Sequence, residues 1–571
     1  MIQVSDILSR LENETHIGVT LFEKNITQYK FVNYKTLHQD ALCFAAHLQY
    51  LGIEENQPVL IMLPNNYDFV VAFWGCVYSG AIPAAIYPPM KLGALDLWES
   101  RTKLLSKSLG AQYIVSQDSI YCLGHKGVGN LKLIETKNRN KNVFIKRPLT
   151  REPNDIAFIQ FSSGTTSTPK PIVITQKNLL TNSEAILKEF FIKKDRVHSC
   201  ASWLPLYHDM GLVGAMICSF REKGNFYLLR PEVFLANPAI WFEVINKFRV
   251  NFTLAPNFAF DLCQRKISDQ QLLKFDLSCL EVILNGAENV SYKTLNDFIH
   301  KFLKSKLNPL SIMPVYGMAE ATLGVSFSPH LKGPQFKRFN KESLILEGKG
   351  IVDKNGVALA CLGRPVENVR LKIKNELNED LEEGLLGEIC LKGDSIGPGT
   401  FDPIKTIIPH PTTDGFIRTG DQGFLYKEEL YLWGRLKDLI IINGKNIDAQ
   451  YIESQLYELD FIRKGQVMAF SSFDENNFEK LIIICELSKN TIIQDEFYKI
   501  IQKCVYSSIG IKPHIIKFFS AGSLPKTSSG KLQRSRAKEL WQKNEIKNYN
   551  EASKLNILSK VIRGKWKSVL G

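Results

Sequence analysis

Short runs of apolar, mostly β-branched residues recur along the chain, and each ends in a polar loop that leads into a helical pattern. Such runs cover residues 59–63, 156–161, 280–284 and 312–315. Near-continuous apolar strands that alternate with helices are typical of parallel sheets covered on both faces. Ligands of such sheets bind at the loops that follow the strands. The pattern therefore predicts an α/β fold with its chemistry in those loops.

The pattern changes at about residue 369. From there to residue 432 short strands alternate with glycine turns, which predicts a smaller, more antiparallel β section. A boundary is expected near Gly434-Arg435-Leu436-Lys437-Asp438, and later apolar runs predict a small α+β unit with strands near residues 439–442, 467–470, 481–486 and 515–519. Single cores rarely exceed about 300 residues. We therefore predict a large N-terminal domain, residues 1–434, and a small C-terminal domain, residues 435–571.

The charge of the chain is concentrated near its end. The chain has 571 residues, and 71 Lys and Arg against 58 Asp and Glu give a net charge of +13. From Lys503 onward fifteen basic residues face three acids, which argues against a uniformly basic nucleic-acid binder. The N-terminus lacks a secretory signal, and no apolar stretch approaches the roughly 20 residues of a membrane span. The cysteines stand singly, so we expect a cytoplasmic protein without a transmembrane segment.

One loop combines hydroxyls, a glycine and a lysine directly after a predicted buried strand. It reads Ser162-Ser163-Gly164-Thr165-Thr166-Ser167-Thr168-Pro169-Lys170. Such a loop can bind a polyphosphate through N–H groups, hydroxyls and an ammonium, although plain solvated loops share this composition. It is not a Walker A loop, because G-x-x-x-x-G-K-[ST] does not occur. The turn Thr419-Gly420-Asp421 offers a carboxylate that could accept ribose hydroxyls, and residues 525–534 present Lys531 after Gly530.

Further motifs follow in a recognisable order. They are Trp203-Leu204-Pro205-Leu206-Tyr207-His208-Asp209-Met210-Gly211, Asn285-Gly286-Ala287-Glu288 and Tyr316-Gly317-Met318-Ala319-Glu320. With the segments above, they make the chain resemble the adenylate-forming superfamily of acyl-CoA synthetases, luciferases and adenylation domains over almost its whole length. The resemblance implies that a carboxylate is joined to the α-phosphate of ATP, with Mg²⁺ present and pyrophosphate expelled.

The resemblance also implies a role for each motif residue. Lys531 is the catalytic lysine between the carboxylate and the α-phosphate, and Glu320 holds Mg²⁺. Lys437 is the hinge about which a mobile small domain turns between adenylation and thiol transfer. The other implied roles are phosphate binding by Ser162, Ser163, Gly164, Thr165, Thr166 and Lys170, adenine binding by Gly286, Ala287, Glu288, Tyr316, Gly317 and Met318, and ribose binding by Asp421 and Arg435. Ser167 and Pro171 stand where the family usually has glycines, which predicts a stiffer phosphate loop.

The acid to be activated is expected to be a fatty acid. His208 stands where amino-acid-activating members place an aspartate, which argues against an amino-acid substrate. The neighbouring sequence is apolar and aromatic, and we assign the acyl pocket to His208, Asn257 and Phe258. An aliphatic chain gains roughly 0.8 kcal/mol per CH₂ buried against such a wall, although any one of these side chains could also be ordinary core.

An insertion bears on the acceptor of the acyl group. Residues 338–362 lie between Glu320 and Gly363-Arg364-Pro365, and their apolar runs at 343–347 and 356–359 predict a small hairpin. By resemblance, an insertion at this place is a mark of the fatty-acyl-AMP ligases, which hand the acyl-adenylate to an acyl carrier protein and not to free coenzyme A. A fatty-acyl-CoA ligase with an irrelevant surface loop is the alternative.

Two readings from other classes have some support in the sequence. Gly393-Asp394-Ser395-Ile396-Gly397 matches the serine-hydrolase elbow, but Pro398-Gly399 follow at once and the required helix is disfavoured. Residues 554–570 combine basic side chains with apolar ones at near-helical spacing. That segment could act as a basic membrane- or protein-binding module, or it could pack on its own domain.

Overall fold

The computed structural model describes residues 2–546 except for 89–94, 118–130, 141, 163–168, 191–196, 443–444, 458, 474–478, 489–490, 492, 527–531 and 544. Within these ranges no helix has both the length and the apolar character needed to cross a membrane. The helices are Asp6–Ser9, Tyr34–Tyr50, Tyr67–Ser79, Leu95–Leu109, Gln176–Lys188, Met210–Ile217, Cys218–Arg221, Pro231–Ala236, Ala239–Phe248, Asn257–Lys266, Asp269–Leu272, Tyr292–Phe302, Ala449–Leu456, Asp495–Ile509 and Arg534–Gln542.

Two large sheets dominate the first four hundred residues. The first has nine strands in the spatial order Arg364–Pro365, Gly324–Phe327, Ile312–Gly317, Val282–Gly286, Phe252–Pro256, Ser199–Ser202, Asn225–Leu228, Gly18–Phe22 and Tyr29–Asn33. The second has eight, in the order Thr406–Pro409, Gly399–Asp402, Pro171–Thr175, Ile156–Phe161, Ile82–Ala85, Pro58–Ile61, Tyr113–Val115 and Lys132–Ile134. Both are parallel at the centre and antiparallel toward an edge. The predicted α/β class is confirmed.

Local sequence signals explain where the covering helices begin and end. Helix Gln176–Lys188 starts with a capping box in which the Thr175 side chain and Asn178 satisfy each other's backbone N–H groups. Helix Tyr67–Ser79 starts at Asn66, whose side chain accepts the N–H of Phe69, and ends at Gly80 with φ of +80°. These side-chain caps therefore fix where the two helices begin, and Gly80 marks where the second one ends.

A third, antiparallel sheet follows, as the sequence predicts. Its strands are Val369–Lys374, Gly387–Gly393, Phe416–Tyr426 and Thr412–Thr413, with Glu429–Arg435 paired to Phe416–Tyr426. The long strand Phe416–Tyr426 carries Thr419-Gly420-Asp421 in its middle. The β section thus brings the predicted ribose-binding turn to the first two sheets.

The insertion contains a hairpin, but only one of the two predicted arms is a strand; the arm predicted at residues 343–347 is wrong. Phe336–Phe339 pairs antiparallel with Val357–Ala360, while Ser343–Glu347 forms a π-helical turn. A short apolar run fits either a strand or a helix, and here the helical turn buries Leu344. Ile345 packs against the hydrophobic core of the last part of the chain, and the Lys341 ammonium lies 5.1 Å from the ring centre of Tyr451. The insertion therefore touches both parts of the chain.

The last part of the chain has its own hydrophobic core. Its strands are Leu439–Ile442, Lys445–Asp448, Ile462–Phe473, Glu479–Leu487 and Ile515–Phe519, packed with three helices. The main core of the protein ends at Leu430, and a separate core begins at Ile440. The boundary between residues 434 and 435, and the mobility of the small domain, stay predictions.

Candidate active site

A cavity of about 480 Å³ opens where the strands Val282–Gly286 and Ile312–Gly317 end. This is the edge of the parallel sheet at which a ligand is expected. Many of the residues predicted from the motifs line it together, although they are spread over nearly three hundred positions. They are Ser162, Lys170, His208, Gly286, Ala287, Tyr316, Gly317, Met318, Glu320, Asp421, Arg435 and Lys437.

One end of the cavity is built around the carboxylate of Asp421. The Tyr316 hydroxyl donates to its Oδ2 at 2.7 Å, and Arg435 Nε donates to its Oδ1 at 2.9 Å. Burial and the charge of Asp421 raise the pKa of Tyr316, while that charge raises the pKa of Arg435. The tyrosine therefore stays neutral and the arginine charged. A carboxylate has about four lone-pair sites, so Asp421 keeps acceptor capacity toward the cavity.

The predicted glycine turn is an irregularity within strand Phe416–Tyr426, where the pairing register shifts, and it is held by a buried glutamate. Glu388 Oε1 accepts the Gly420 N–H at 2.8 Å, and its other oxygen binds the guanidinium of Arg418. Gly420 has φ of +76°, a conformation that glycine adopts without strain. The Thr419 hydroxyl donates to the carbonyl of Ile389 at 2.8 Å. The turn is thereby fixed to the strand Gly387–Gly393.

The predicted adenine-binding segment sits tightly against the neighbouring strand. A β-carbon on Gly286 would lie 2.9 Å from the backbone oxygen of Val315, so only glycine fits without a shift. Ala287 follows with φ of +63°, which is unusual for a residue with a side chain. Gly286 and Ala287 thus expose backbone at the cavity wall, whereas Glu288 is not part of the described wall and its Oε2 accepts the Phe258 N–H at 3.0 Å.

Acidic and basic groups face each other at the other polar side of the cavity. Burial chiefly, with the charges of Asp209 and Asp421, raises the pKa of Glu320, and the Lys170 ammonium opposes this. The His208 ring contacts Asp209, with Nδ1 2.6 Å from Oδ1. Carboxylates crowded in this way favour a cation or an additional positive group beside them.

The rest of the cavity wall is apolar. It is formed by side chains from two helices, four strands and a turn, namely Ile186, Met210, Leu254, Leu284, Val315, Phe327 and Leu323. Two glycines, Gly214 and Gly324, also line it, and a β-carbon on either would press on neighbouring apolar side chains. The cavity wall therefore combines charged groups with apolar side chains.

Comparison with known proteins identifies the family of the chain. The model of the AMP-binding enzyme family matches residues 14–401. The chain belongs to the AMP-binding enzymes. It is 30% identical to a putative fatty-acid–CoA ligase, FadD25 of Mycobacterium tuberculosis, over 90% of this chain and 92% of that protein. It is 28% identical to the long-chain-fatty-acid–AMP ligase FadD23 of the same species, over 85% and 87%.

Solved structures agree with this assignment. A structure from a study of fatty acyl-adenylate ligases of E. coli and L. pneumophila matches with a TM-score of 0.86 and 29% identity, covering 95% of this chain and 98% of that chain. The prediction of an adenylate-forming ligase with a large N-terminal and a smaller C-terminal domain is confirmed.

Several predicted residues of this AMP-binding enzyme are not brought into the cavity wall. Asn257 Oδ1 accepts the Ser291 N–H at 3.1 Å, and the Phe258 ring packs edge-on against Trp203 at 5.9 Å. Neither belongs to the described wall. Ser163, Gly164, Thr165, Thr166 and Lys531 lie outside the described residues, and their roles stay predictions.

Sequence reasoning also missed residues of the wall. Glu388, His410 and Arg418 line the cavity, as do the apolar side chains given above. Arg418 directly precedes the Thr419-Gly420-Asp421 motif and could have been noticed for that reason. His410 lies between Pro409 and Pro411, outside every motif, and carries no sequence signal that would have placed it there.

Proposed function

We propose that this AMP-binding enzyme uses ATP and Mg²⁺ to convert a fatty acid to its acyl-adenylate, releasing pyrophosphate, and then passes the acyl group to an acyl carrier protein. The observation that carries the proposal is one cavity whose wall combines charged groups with apolar side chains. Asp421 with Arg435 at one side suits a ribose, and Lys170 suits phosphates. The apolar wall suits an aliphatic chain, at roughly 0.8 kcal/mol per buried CH₂.

In the proposed reaction a carboxylate oxygen of the fatty acid attacks the α-phosphorus of ATP. A new P–O bond forms while the bond to the pyrophosphate oxygen breaks, and pyrophosphate leaves with its electron pair. Two anions must meet, so positive groups near the phosphates lower the barrier. Lys170 lines the cavity, and we assign it to this task together with Lys531, which is assigned from its motif.

Mg²⁺ fits the groups present. It prefers oxygen ligands and is usually held by one or two carboxylates together with substrate phosphates. Glu320 offers a buried carboxylate at the cavity, and a bound cation would keep it ionised against the burial that raises its pKa. The described residues contain no cluster of three or more metal-ligating side chains, which is consistent with Mg²⁺ arriving with the nucleotide.

The acceptor is the finer part of the proposal. Relatives of nearly equal identity are named as a CoA ligase and as an AMP ligase, so similarity does not choose between them. The insertion at residues 338–362 supports the AMP ligase, because it is a mark of that group and contacts the small core through Ile345 and Lys341. The basic surplus after Lys503 also suits an acidic carrier protein.

The first experiment tests adenylation. Purified protein is incubated with a mixture of fatty acids, ATP and Mg²⁺, and the products are identified by mass spectrometry. We expect acyl-adenylates with matching pyrophosphate release. Adenylates of amino acids only, or no adenylate at all, would overturn the proposal.

The second experiment tests the acceptor. The same reaction is supplied either with coenzyme A or with a holo acyl carrier protein, and acyl thioesters are measured. We expect acyl-carrier protein and little acyl-CoA, so efficient acyl-CoA formation would overturn this part alone. A cytoplasmic location stays a prediction. A membrane contact through residues 554–570, which lie outside the described residues, can be tested by liposome flotation against a chain truncated before Lys554.

A further inference from the structure

Arg534 is the first residue of helix Arg534–Gln542 and is almost enclosed by acids. Its guanidinium binds both carboxylate oxygens of Glu453 at 2.8 Å and Oδ2 of Asp438 at 2.6 Å. The Arg534 side chain is 11% exposed, and the two carboxylates are 3% and 4% exposed. A planar guanidinium held at several nitrogens has one orientation only.

The two acids belong to different pieces of the small domain. Asp438 directly follows Lys437, which the family resemblance identifies as the hinge and which lines the cavity. Glu453 lies in helix Ala449–Leu456 and also accepts the Ala469 N–H of the edge strand Ile462–Phe473 at 2.9 Å. Arg534 therefore joins the residue after the hinge to the helix and the sheet of the small domain.

Arg534 also lies three residues after Lys531 in the chain. Lys526 and Leu532 form an antiparallel bridge, and the Gln533 N–H donates to the Pro525 carbonyl at 2.9 Å. These contacts join the residues on either side of 527–531, and that segment lies outside the described residues. Arg534 is two residues beyond the bridge, so its ion pairs fix the exit of that segment.

A buried ion pair of this kind does not open easily. Separating it would leave an unpaired charge inside the protein, which is strongly unfavourable. Asp438, Glu453 and Arg534 are therefore expected to move as one body when the chain turns at Lys437.

We propose that Arg534 is a positioning residue for the adenylation step. It couples the position of Asp438, the residue after the hinge, to the segment that contains Lys531. Its guanidinium binds Asp438, and its backbone directly follows Leu532 and Gln533, which pair with Lys526 and Pro525 on the other side of that segment. This inference rests on the proposed function and assigns a part in it to a residue that does not line the cavity.

The test separates the two half-reactions. Adenylation is measured as pyrophosphate release, and transfer is measured by supplying synthetic acyl-adenylate with holo carrier protein. For Arg534→Met we expect the kcat of adenylation to fall on the order of 100-fold, the usual cost of a small misplacement at a reacting centre. The KM for ATP should change little, and transfer should stay within about threefold, since neither depends on Lys531 in the proposed scheme.

Two further variants make the result decisive. Arg536→Met is the matched control, because Arg536 lies on the same helix and pairs only with Glu539 among the described residues; it should leave both half-reactions unchanged. Arg534→Lys keeps the positive charge but loses the planar set of guanidinium donors, so it should give an intermediate adenylation rate. The same variant provides the test if Arg534→Met fails to fold.

Equal losses in both half-reactions would mean that Arg534 only stabilises the small domain, and unchanged adenylation would remove its role altogether. Either result would overturn the inference. If the natural protein forms no acyl-adenylate, the proposed function fails instead.

Discussion

Asp448 makes the stability of the small domain depend on pH. Its Oδ2 accepts the Tyr451 N–H at 3.0 Å and caps the helix Ala449–Leu456, while Oδ1 is buried without a partner in the described structure. Burial outweighs the attraction of Arg534 and raises the pKa of Asp448 to about 7. Asp448→Asn keeps the shape and the capping oxygen but cannot ionise, so it isolates the effect of the charge.

The size and sign of the effect follow from the two pKa values. An aspartate in an unfolded chain has a pKa of about 3.9, so between about pH 4 and 7 the folded state holds a proton that the unfolded state has released. Stability therefore falls as pH rises through this window and is level above it. With a folded pKa of about 7, the natural protein should lose about 2 kcal/mol relative to Asp448→Asn between pH 5.5 and 8.

Hydrogen exchange measured by mass spectrometry can test this locally. The opening free energy of amides in helix Ala449–Leu456 is compared between the natural protein and Asp448→Asn at each pH, so that intrinsic exchange rates cancel. We expect similar protection at pH 5.5 and stronger protection of the variant at pH 8. A difference that does not change with pH, or one that favours the natural protein at pH 8, would refute a raised pKa at this site.

The remaining predictions concern the cavity. Lys531→Ala is expected to abolish acyl-adenylate formation with the fold intact, whereas Lys538→Ala should leave pyrophosphate release unchanged; normal release by the first variant would contradict the catalytic assignment. Asp421→Ala should weaken ATP binding about 10–100-fold in calorimetry, because hydrogen bonds to a charged group contribute about 1.5–3 kcal/mol; unchanged affinity would exclude the ribose role. Gly214→Val should shift product toward shorter acyl chains in competition, because a β-carbon there would lie 2.8 Å from Leu254; an unchanged product profile would place the chain elsewhere.

The polar half of the cavity was predictable because its residues are local features of the sequence. Gly286 and Tyr316 stand at the ends of apolar strands, and Asp421 follows a glycine turn. Strand ends at one edge of a parallel sheet must meet, so residues far apart in the chain could be placed together. What the sequence did not contain is the hydrogen bond from Tyr316 to Asp421, which depends on how the third sheet packs on the first. Arg435 meets Asp421 within the third sheet, as its register partner on the adjacent strand.

The apolar half was not predictable for the opposite reason. Strands buried on both faces read as continuous apolar runs, and nothing in such a run marks which face looks into a cavity. In the structure Leu254 and Leu284 line the cavity as register partners on adjacent strands. Val315 and Phe327 also line it and are register partners on the next two strands of the same sheet. The predicted Phe258 instead is the second residue of the helix Asn257–Lys266, outside the described wall.

The positive surplus after Lys503 shows how a sum of charges can mislead about partners. Arg534 contributes to that surplus, yet its charge is neutralised inside the protein by Asp438 and Glu453. Both acids belong to residues 1–502, whose net charge is only +1, because +12 of the total of +13 lies after residue 502. Arg536 is likewise paired with Glu539. An acidic carrier protein would therefore meet a weaker field than the sequence count implies, and that field acts mainly on the encounter rate. The buried arginine has a different consequence: its ion pairs hold the residue after the proposed hinge against helix Ala449–Leu456, which the proposed scheme requires of a domain that presents Lys531 to a phosphate.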